Sequence, residues 1–333
     1  MTSNLTDELR EAAHRQGFLS MAVTGAEPDL EARRIALGRV AEGSFSGLSW
    51  FHAERVARAT DPAVTLPGAR SVVLFAASYR HERSAPADGG LRGRIARYAW
   101  GRDYHNVLEK RARPLLRLLA ERSPGSRSRF LVDHGPLMER AYARAAGLGW
   151  QGKNTMLLAR GVGSFTFLAA ILTTVELDSD RPVAQTCGAC TRCLPSCPTG
   201  AIRSEYEVVN DLCIAYQTIE NRGVIPRPIR RSIGDWVFGC DLCQESCPVN
   251  DSSGPEGLPE FDAREPDDAW PELVAILSLG EEDFRRRFAG RPVLRARYPG
   301  LLRNACIALG NLGDVRAVPA LAGALAHREP LVR

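Results

Sequence analysis

Four cysteines in the run CGACTRCLPSCPTGAI, at positions 187, 190, 193 and 197, constrain this chain more than any other feature. Thiols at this spacing ask for a metal centre around which the backbone must turn. A shorter copy, CDLCQESCPVN at 240–250, adds Cys240, Cys243 and Cys247, and Cys213 stands alone between the two. The N-terminus MTSNLTDELREAAHRQGF lacks the basic-then-apolar order of an export signal, and no apolar run approaches the ~18 residues of a membrane span. The expected compartment is therefore the cytoplasm, where disulfides are rare and metal ligation is the better reading. Zinc asks for two CxxC pairs closing on one tetrahedral site. The pattern CxxCxxCxxxCP is instead that of a bacterial ferredoxin.

In that pattern three close thiolates hold one 4Fe-4S cluster, and the fourth, redirected by the proline, crosses to the other. Cys187, Cys190 and Cys193 then share a cluster with Cys247, which also precedes a proline. By the same rule Cys197 joins Cys213, Cys240 and Cys243 in a second cluster, so the second copy looks incomplete because its first cysteine has moved back to 213. Cys306, in the apolar pattern LLRNACIALGNLG, reads as a buried structural thiol.

A chain of 333 residues with 44% hydrophobic composition has room for two or three domains. LSMAVT (19–24), SVVLFAAS (71–78), FLVD (130–133) and the apolar run SFTFLAAILTTVEL (164–177) read as strands, separated by helical patterns such as LEARRIALGRVAE and NVLEKRARPLLRLLAERS. This alternation predicts an α/β domain over residues 1–180, followed by a ferredoxin-like domain over 181–254. Beyond the linker DSSGPEGLPEFDAREPDD, residues 255–333 read as helices. Their end, a helix, a Gly-Asp turn and a second helix after Pro319, resembles HEAT repeats. The chain stops at EPLVR where a further helix is expected to start, so the last repeat is read as degenerate or the C-terminus as shortened.

Net charge is +4, and of the 43 basic residues only Lys110 and Lys153 are lysine. That skew points to compositional drift, so arginine richness alone is no nucleic-acid footprint. Lys153 stands out for the same reason, lying in the glycine-dense GLGWQGKN. There the glycines serve either a tight turn or a backbone left bare for a large ligand; a phosphate loop GxxxxGK[ST] is absent. Asp133, at a strand end, has two readings of equal standing: general acid, or cap of a helix opening near Pro136. His105 reads as a structural histidine, and His134 as tuning Asp133 or facing solvent.

Taken together, the blocks ARYAWGRDYH, VDHGPLMERAYARAAGLGWQGKNT, CGACTRCLPSCPTGAI, CIAYQTIENRG, FGCDLCQESCPVN and LLRNACIALGN resemble the epoxyqueuosine reductases, in order and over nearly the whole chain. The resemblance implies a cobalamin-dependent oxidoreductase of queuosine biosynthesis, related to the reductive dehalogenases. Such an enzyme reduces epoxyqueuosine at the wobble position of a tRNA to queuosine. The first domain is then a cobalamin-binding catalytic one. The motif DxHxxG is incomplete, since DYHNVL (103–108) lacks the glycine, in keeping with a corrinoid held without a histidine below the cobalt.

Carried over by matching motif, Asp133 becomes the proton donor to the departing oxygen, while two clusters deliver electrons singly to reach cob(I)alamin. Arg58, Arg97, Asp133, Lys153, Asn154 and Tyr216 become the corrinoid-pocket residues, with Arg97 alternatively a salt-bridging surface arginine. For tRNA, NRGVIPRPIRRS and FRRRFAGRPVLRARY set arginines beside aromatic residues, with Arg222, Arg230, Arg231, Arg286 and Arg295 as candidate contacts. The expected partners are a tRNA and a low-potential electron donor, and the expected state is a monomer. Two rivals stand against this reading: a dehalogenase-type corrinoid reductase of a small molecule, which usually carries a twin-arginine export signal that is not found here, and an electron-transfer or scaffold protein, which leaves VDHGP and GLGWQGKN unexplained.

Overall fold

The apolar run SVVLFAAS forms a strand buried at every residue, as a strand flanked on both edges and covered on both faces must be. The computed structural model describes residues 4–45, 47–82, 84–251 and 254–333; residues 1–3 of the N-terminal stretch and 252–253 of the linker lie outside them. Two compact units share the chain. One comprises Met1–Tyr79, Tyr104–Thr191 and Pro248–Leu258, the other Arg80–Asp103, Arg192–Cys247 and Pro259–Arg333.

The first unit is built on β1 (Ser20–Gly25), β2 (Ser71–Ser78), β3 (Ser128–Leu131) and β4 (Thr166–Thr173), in the order β1-β2-β4-β3. Every pairing is antiparallel, with Gly25 and Thr173 both opposite Ser71 and Leu131 opposite Ala170. Strands and helices mix as expected, but strand direction differs from that of a parallel βαβ sheet. The connections between strands are long enough to return the chain either way, so pairing is decided by contacts remote in sequence. Around the sheet lie α1 (Leu5–Arg15), α2 (Leu30–Ala41), α3 (Ala53–Ala59), α4 (Tyr104–Arg122) and α5 (Glu139–Ala145). Tyr142, Ala143 and Ala146 at α5 join Val72, Leu74, Ala170 and Leu172 in one apolar cluster.

In the second unit Arg94–Ile95 pairs in parallel with Trp236–Phe238, and Ile202–Ser204 forms a hairpin with Glu207–Val208 behind Cys197. Its helices include α6 (Ile214–Ile219), α7 (Arg297–Leu312) and α8 (Val318–Ala324). Gly313, left-handed at φ 65°, ends α7, and Pro319 opens α8. The core gathers Phe238, Phe284, Phe288, Leu301 and Leu302. The final residues turn back so that Val332 is buried, its carbonyl 3.8 Å from the thiol of the half-buried Cys306. Among the described residues no helix is long and apolar enough to cross a membrane.

Candidate active site

Asp133 does not cap a helix. Residues 133–137 form turns and bends, and α5 begins only at Glu139, with Met138 in the capping position. Asp133 instead takes a left-handed backbone, φ 46°, a conformation that a non-glycine residue holds only where its surroundings impose it. Its Oδ2 accepts a 2.6 Å hydrogen bond from the Tyr104 hydroxyl and lies 3.5 Å from His105 Nε2. The Tyr104 ring stacks on Phe167 at 4.3 Å and on His105 at 4.2 Å. His105, read from sequence as structural, therefore faces the acid, and its ring also lies 4.9 Å from that of His134.

The carboxylate is open to solvent on one side, with 65% of its side chain exposed, over a crowded shelf of protein. Crowding pushes its pKa up, but the hydrogen bonds of His105 and Tyr104 outweigh this, and Asp133 lies below the ordinary carboxylate range. Glu139 behaves oppositely. Its Oε1 is buried with no hydrogen-bond partner among the described residues. Burial, reinforced by the charge of Asp133, pushes its carboxyl up to about 8 against the pull of nearby backbone N–H groups.

The GLGWQGKN stretch is a hairpin of Gly149–Gln151 with Leu157–Ala159. A Cβ on Gly149 would strike the Leu158 carbonyl, so that glycine serves the close approach of the hairpin's own strands. In the connecting turn Thr155 is left-handed at φ 67°, and Asn154 Oδ1 accepts from Met156 N at 3.2 Å. Lys153 is 5% exposed and donates to the Gly188 carbonyl at 2.8 Å, inside the first cysteine run. Arg140 donates to the Thr155 carbonyl at 3.2 Å and also lowers the Asp133 pKa, so the turn and the acid share a neighbour. Arg58 is exposed on α3.

In the second unit the thiols feel one another's charge: Cys197 acts on Cys213, Cys213 on Cys240, and Cys213, Cys197 and Cys193 on Cys243. Cys197, Cys213, Cys240 and Cys243 are the residues read from sequence as one cluster's ligands, and Cys193 was read with the other, so these charges do not divide the two sets. Burial raises the thiol pKa of Cys213, while backbone N–H groups of Tyr216 and Ala215 at the start of α6 oppose it. Such amides suit a thiolate bound to iron. Ser196 and Ser246 each precede a Cys-Pro: the Ser246 hydroxyl donates to that of Ser196 at 2.9 Å, and each hydroxyl lies within 3.3 Å of the carbonyl three residues back. The two copies of the motif thus share a local geometry. Arg97 is largely buried, donating to Glu245 at 2.6 Å and lying 3.5 Å from Asp241, while its backbone N–H donates to Asp241 at 2.7 Å. It braces the Cys240–Cys243 turn.

The candidate RNA arginines all lie in this unit. Arg295 pairs with Glu220 at 2.8 and 3.0 Å; Arg222 lies 3.8 Å from the same carboxylate and donates to the Ile219 carbonyl at 2.8 Å. Arg230 donates to Ile225 O at 2.9 Å, Arg231 is exposed, and Arg286 pairs with Asp283 at the surface. Burial is the main cause that lowers the Arg222 pKa, with Arg297 and Arg295 adding to it and Glu220 opposing it.

Sequence reasoning missed three residues. Tyr104 stands in ARYAWGRDYH one residue before His105, with no spacing that marks it. Arg55, one helical turn before Arg58, donates to the carbonyls of His134 at 3.3 Å and Gly135 at 3.1 Å. Arg303, 5% exposed on α7, donates to the carbonyls of Gln217, Asn221 and Gly223 at 2.7, 2.9 and 2.5 Å and so shapes the loop bearing Arg222. An arginine bound to backbone carbonyls leaves no mark in a sequence.

Comparison with known proteins adds the following. Residues 59–134 match the family described as "Epoxyqueuosine reductase QueG, DUF1730", and residues 186–250 match "4Fe-4S double cluster binding domain". The epoxyqueuosine reductase of Gloeobacter violaceus is 40% identical over 92% of this chain and 96% of its own length, and that of Escherichia coli K12 is 34% identical over 93% and 82%. An epoxyqueuosine reductase crystallised with an epoxyqueuosine-modified tRNA-Tyr stem loop superposes with a TM-score of 0.90 at 31% identity, over 99% of this chain and 87% of that one. The Bacillus subtilis enzyme, with its catalytic aspartate loop swung out of the active site, gives 0.92 at 30% over 99% and 87%.

Proposed function

Because this chain belongs to the epoxyqueuosine reductase family, we propose that it reduces the epoxide of epoxyqueuosine, at the wobble position of a tRNA, to the alkene of queuosine. Two electrons and two protons enter, both carbon–oxygen bonds of the epoxide break, and the oxygen leaves as water. The observation that carries the reading is Asp133: an open carboxyl on a left-handed turn, gripped by Tyr104 and His105.

An alkoxide leaves poorly, and a positioned general acid contributes ~100 to 10,000-fold. Asp133 Oδ2 is the atom that carries the proton to the departing oxygen. Because its pKa is lowered, it rests as the carboxylate, and His105 Nε2 and the Tyr104 hydroxyl are the groups placed to return a proton to it.

The double-cluster domain calls for two 4Fe-4S clusters, and we read their ligands from the spacing of the thiols, Cys187, Cys190, Cys193 and Cys247 for one and Cys197, Cys213, Cys240 and Cys243 for the other. For cobalamin, Lys153 and Asn154 offer the polar groups a corrinoid's rim requires, in a turn that Arg140 ties to the neighbourhood of Asp133. Arg58, Arg97 and Tyr216 enter the pocket on family position. When bound, the clusters supply electrons singly and cobalamin supplies a cobalt centre able to pass them to an epoxide carbon.

The arginines around Glu220 supply the RNA-facing charge, and the α7–α8 pair fits a HEAT-like support for it. We also read the protein as a cytoplasmic monomer served by a low-potential electron donor, organised as catalytic (1–180), ferredoxin-like (181–254) and helical (255–333) segments. The test is anaerobic: reconstitute with iron and sulfide, add cobalamin and reductant, and follow epoxyqueuosine-bearing stem-loop RNA by mass spectrometry. Loss of one oxygen atom that requires cobalamin is expected. Retained oxygen with both clusters and cobalamin in place overturns the substrate assignment.

A further inference from the structure

We infer that Arg55 is a positioning residue, a latch that holds the Asp133 turn in its docked conformation. The inference rests on the reading of Asp133 as proton donor. Asp133 sits at φ 46°, so its turn persists only while neighbours determine it. Along one side the turn is tied to residues 55–65 of its own unit: the Arg55 guanidinium donates to His134 O and Gly135 O, Thr65 Oγ1 lies 3.4 Å from Pro136 O, and Met138 N donates to Ala59 O at 2.8 Å. Only the first two use side chains, and only Arg55 brings a charge and two acceptors within reach of one Nη.

The latch has an outer support. The Arg55 guanidinium lies over the Trp50 ring at 5.5 Å, and Trp50, edge-on to Phe51, is 43% exposed. An aromatic face restricts where the guanidinium can go without burying it. In the homologous Bacillus subtilis enzyme the catalytic aspartate loop occurs swung out, so a turn of this kind has two positions. Arg55 biases this one toward the position in which Asp133 meets Tyr104 and His105. Since catalysis falls steeply when a reacting group is misplaced by about 1 Å, loss of the latch lowers turnover without weakening the hold on RNA.

The experiment compares Arg55→Ala, Arg55→Lys, Trp50→Ala and Asp133→Asn in the cluster-loaded, cobalamin-bound enzyme. Readouts are turnover at saturating stem-loop RNA, KM for that RNA, and amide hydrogen exchange over residues 132–138. Arg55→Ala is expected to lower kcat about tenfold or more with KM unchanged, and to speed exchange in the turn. Arg55→Lys restores part of both, because an ammonium still reaches one carbonyl. Trp50→Ala, at an exposed site that tolerates truncation, gives a smaller effect in the same direction. Unchanged exchange in Arg55→Ala and Trp50→Ala overturns the latch, as does faster exchange with wild-type kcat. Full turnover in Asp133→Asn overturns the proton-donor reading itself, and with it any catalytic role for the latch.

Discussion

The Tyr104 hydroxyl lies 2.6 Å from Asp133 Oδ2 while its ring stacks on Phe167 at an interplanar angle of 11°. One residue thus holds the acid with its polar end and itself with its apolar face. Tyr104→Phe keeps the stack and removes the donor. Hydrogen bonds to an ion are worth ~1.5–3 kcal/mol, so the carboxylate loses stabilisation and its pKa rises. The expected result is that the limb of the rate profile that falls as Asp133 ionises with rising pH is displaced to higher pH. Single-turnover rates across pH check this; an unmoved limb removes Tyr104 from the acid's surroundings.

Glu139 predicts a pH dependence of stability. Its folded pKa, about 8, lies above its ordinary value of 4.5, so the folded state binds the proton more tightly than the unfolded one. Its contribution is fully present below pH 4.5 and is lost progressively as pH rises to about 8, after which it is constant. Glu139→Gln is neutral throughout and escapes that loss. The variant's stability relative to the parent should therefore climb across this window by roughly 1–3 kcal/mol, allowing for the residue's partial exposure. Urea unfolding at several pH values measures it, and a pH-independent difference contradicts the assignment.

Cys213 carries the test of how the thiols are divided. It is remote from the Cys240 run in sequence yet acts on both Cys240 and Cys243. Cys213→Ala should leave one intact cluster, lowering iron from about eight to about four atoms per chain, whereas Cys306→Ala should leave iron unchanged. Iron analysis with electron paramagnetic resonance distinguishes these outcomes. Equal loss from both substitutions would show that the displaced-cysteine assignment is wrong.

These residues also show what a sequence displays and what it hides. β2 was legible residue for residue, because an eight-residue apolar run bounded by polar residues has few other fates. The double-cluster domain was legible because most of its cysteine spacing is local. The antiparallel order was not, since Ser71 meets Thr173 across about a hundred residues of chain. Pro136 suggested a helix start that belongs three residues later, because the turn at Asp133 is held by tertiary contacts that override the local signal. Arg97 read as a surface arginine or a pocket residue; the acids that bury it, Asp241 and Glu245, lie far along the chain.

Arg222 offers the sharpest test of the RNA face. Arg295 already has a bidentate partner in Glu220, and Arg286 has Asp283, so neither is the arginine most in need of an anion. Arg222 sits 3.8 Å from a carboxylate it shares, beside Arg295 and Arg297, on a loop shaped by Arg303. A phosphate there would relieve like-charge repulsion as well as form a pair. Each single-strand phosphate contact contributes about −0.7 to the slope of log K against log salt, and each duplex contact about −0.9. Arg222→Ala should therefore weaken stem-loop binding and flatten that slope by one such step, while Arg286→Ala changes it less. Titrations of both variants at several salt concentrations decide the matter: an unaltered slope for Arg222→Ala means the phosphate path runs elsewhere, and the excess of charge around Glu220 needs another explanation.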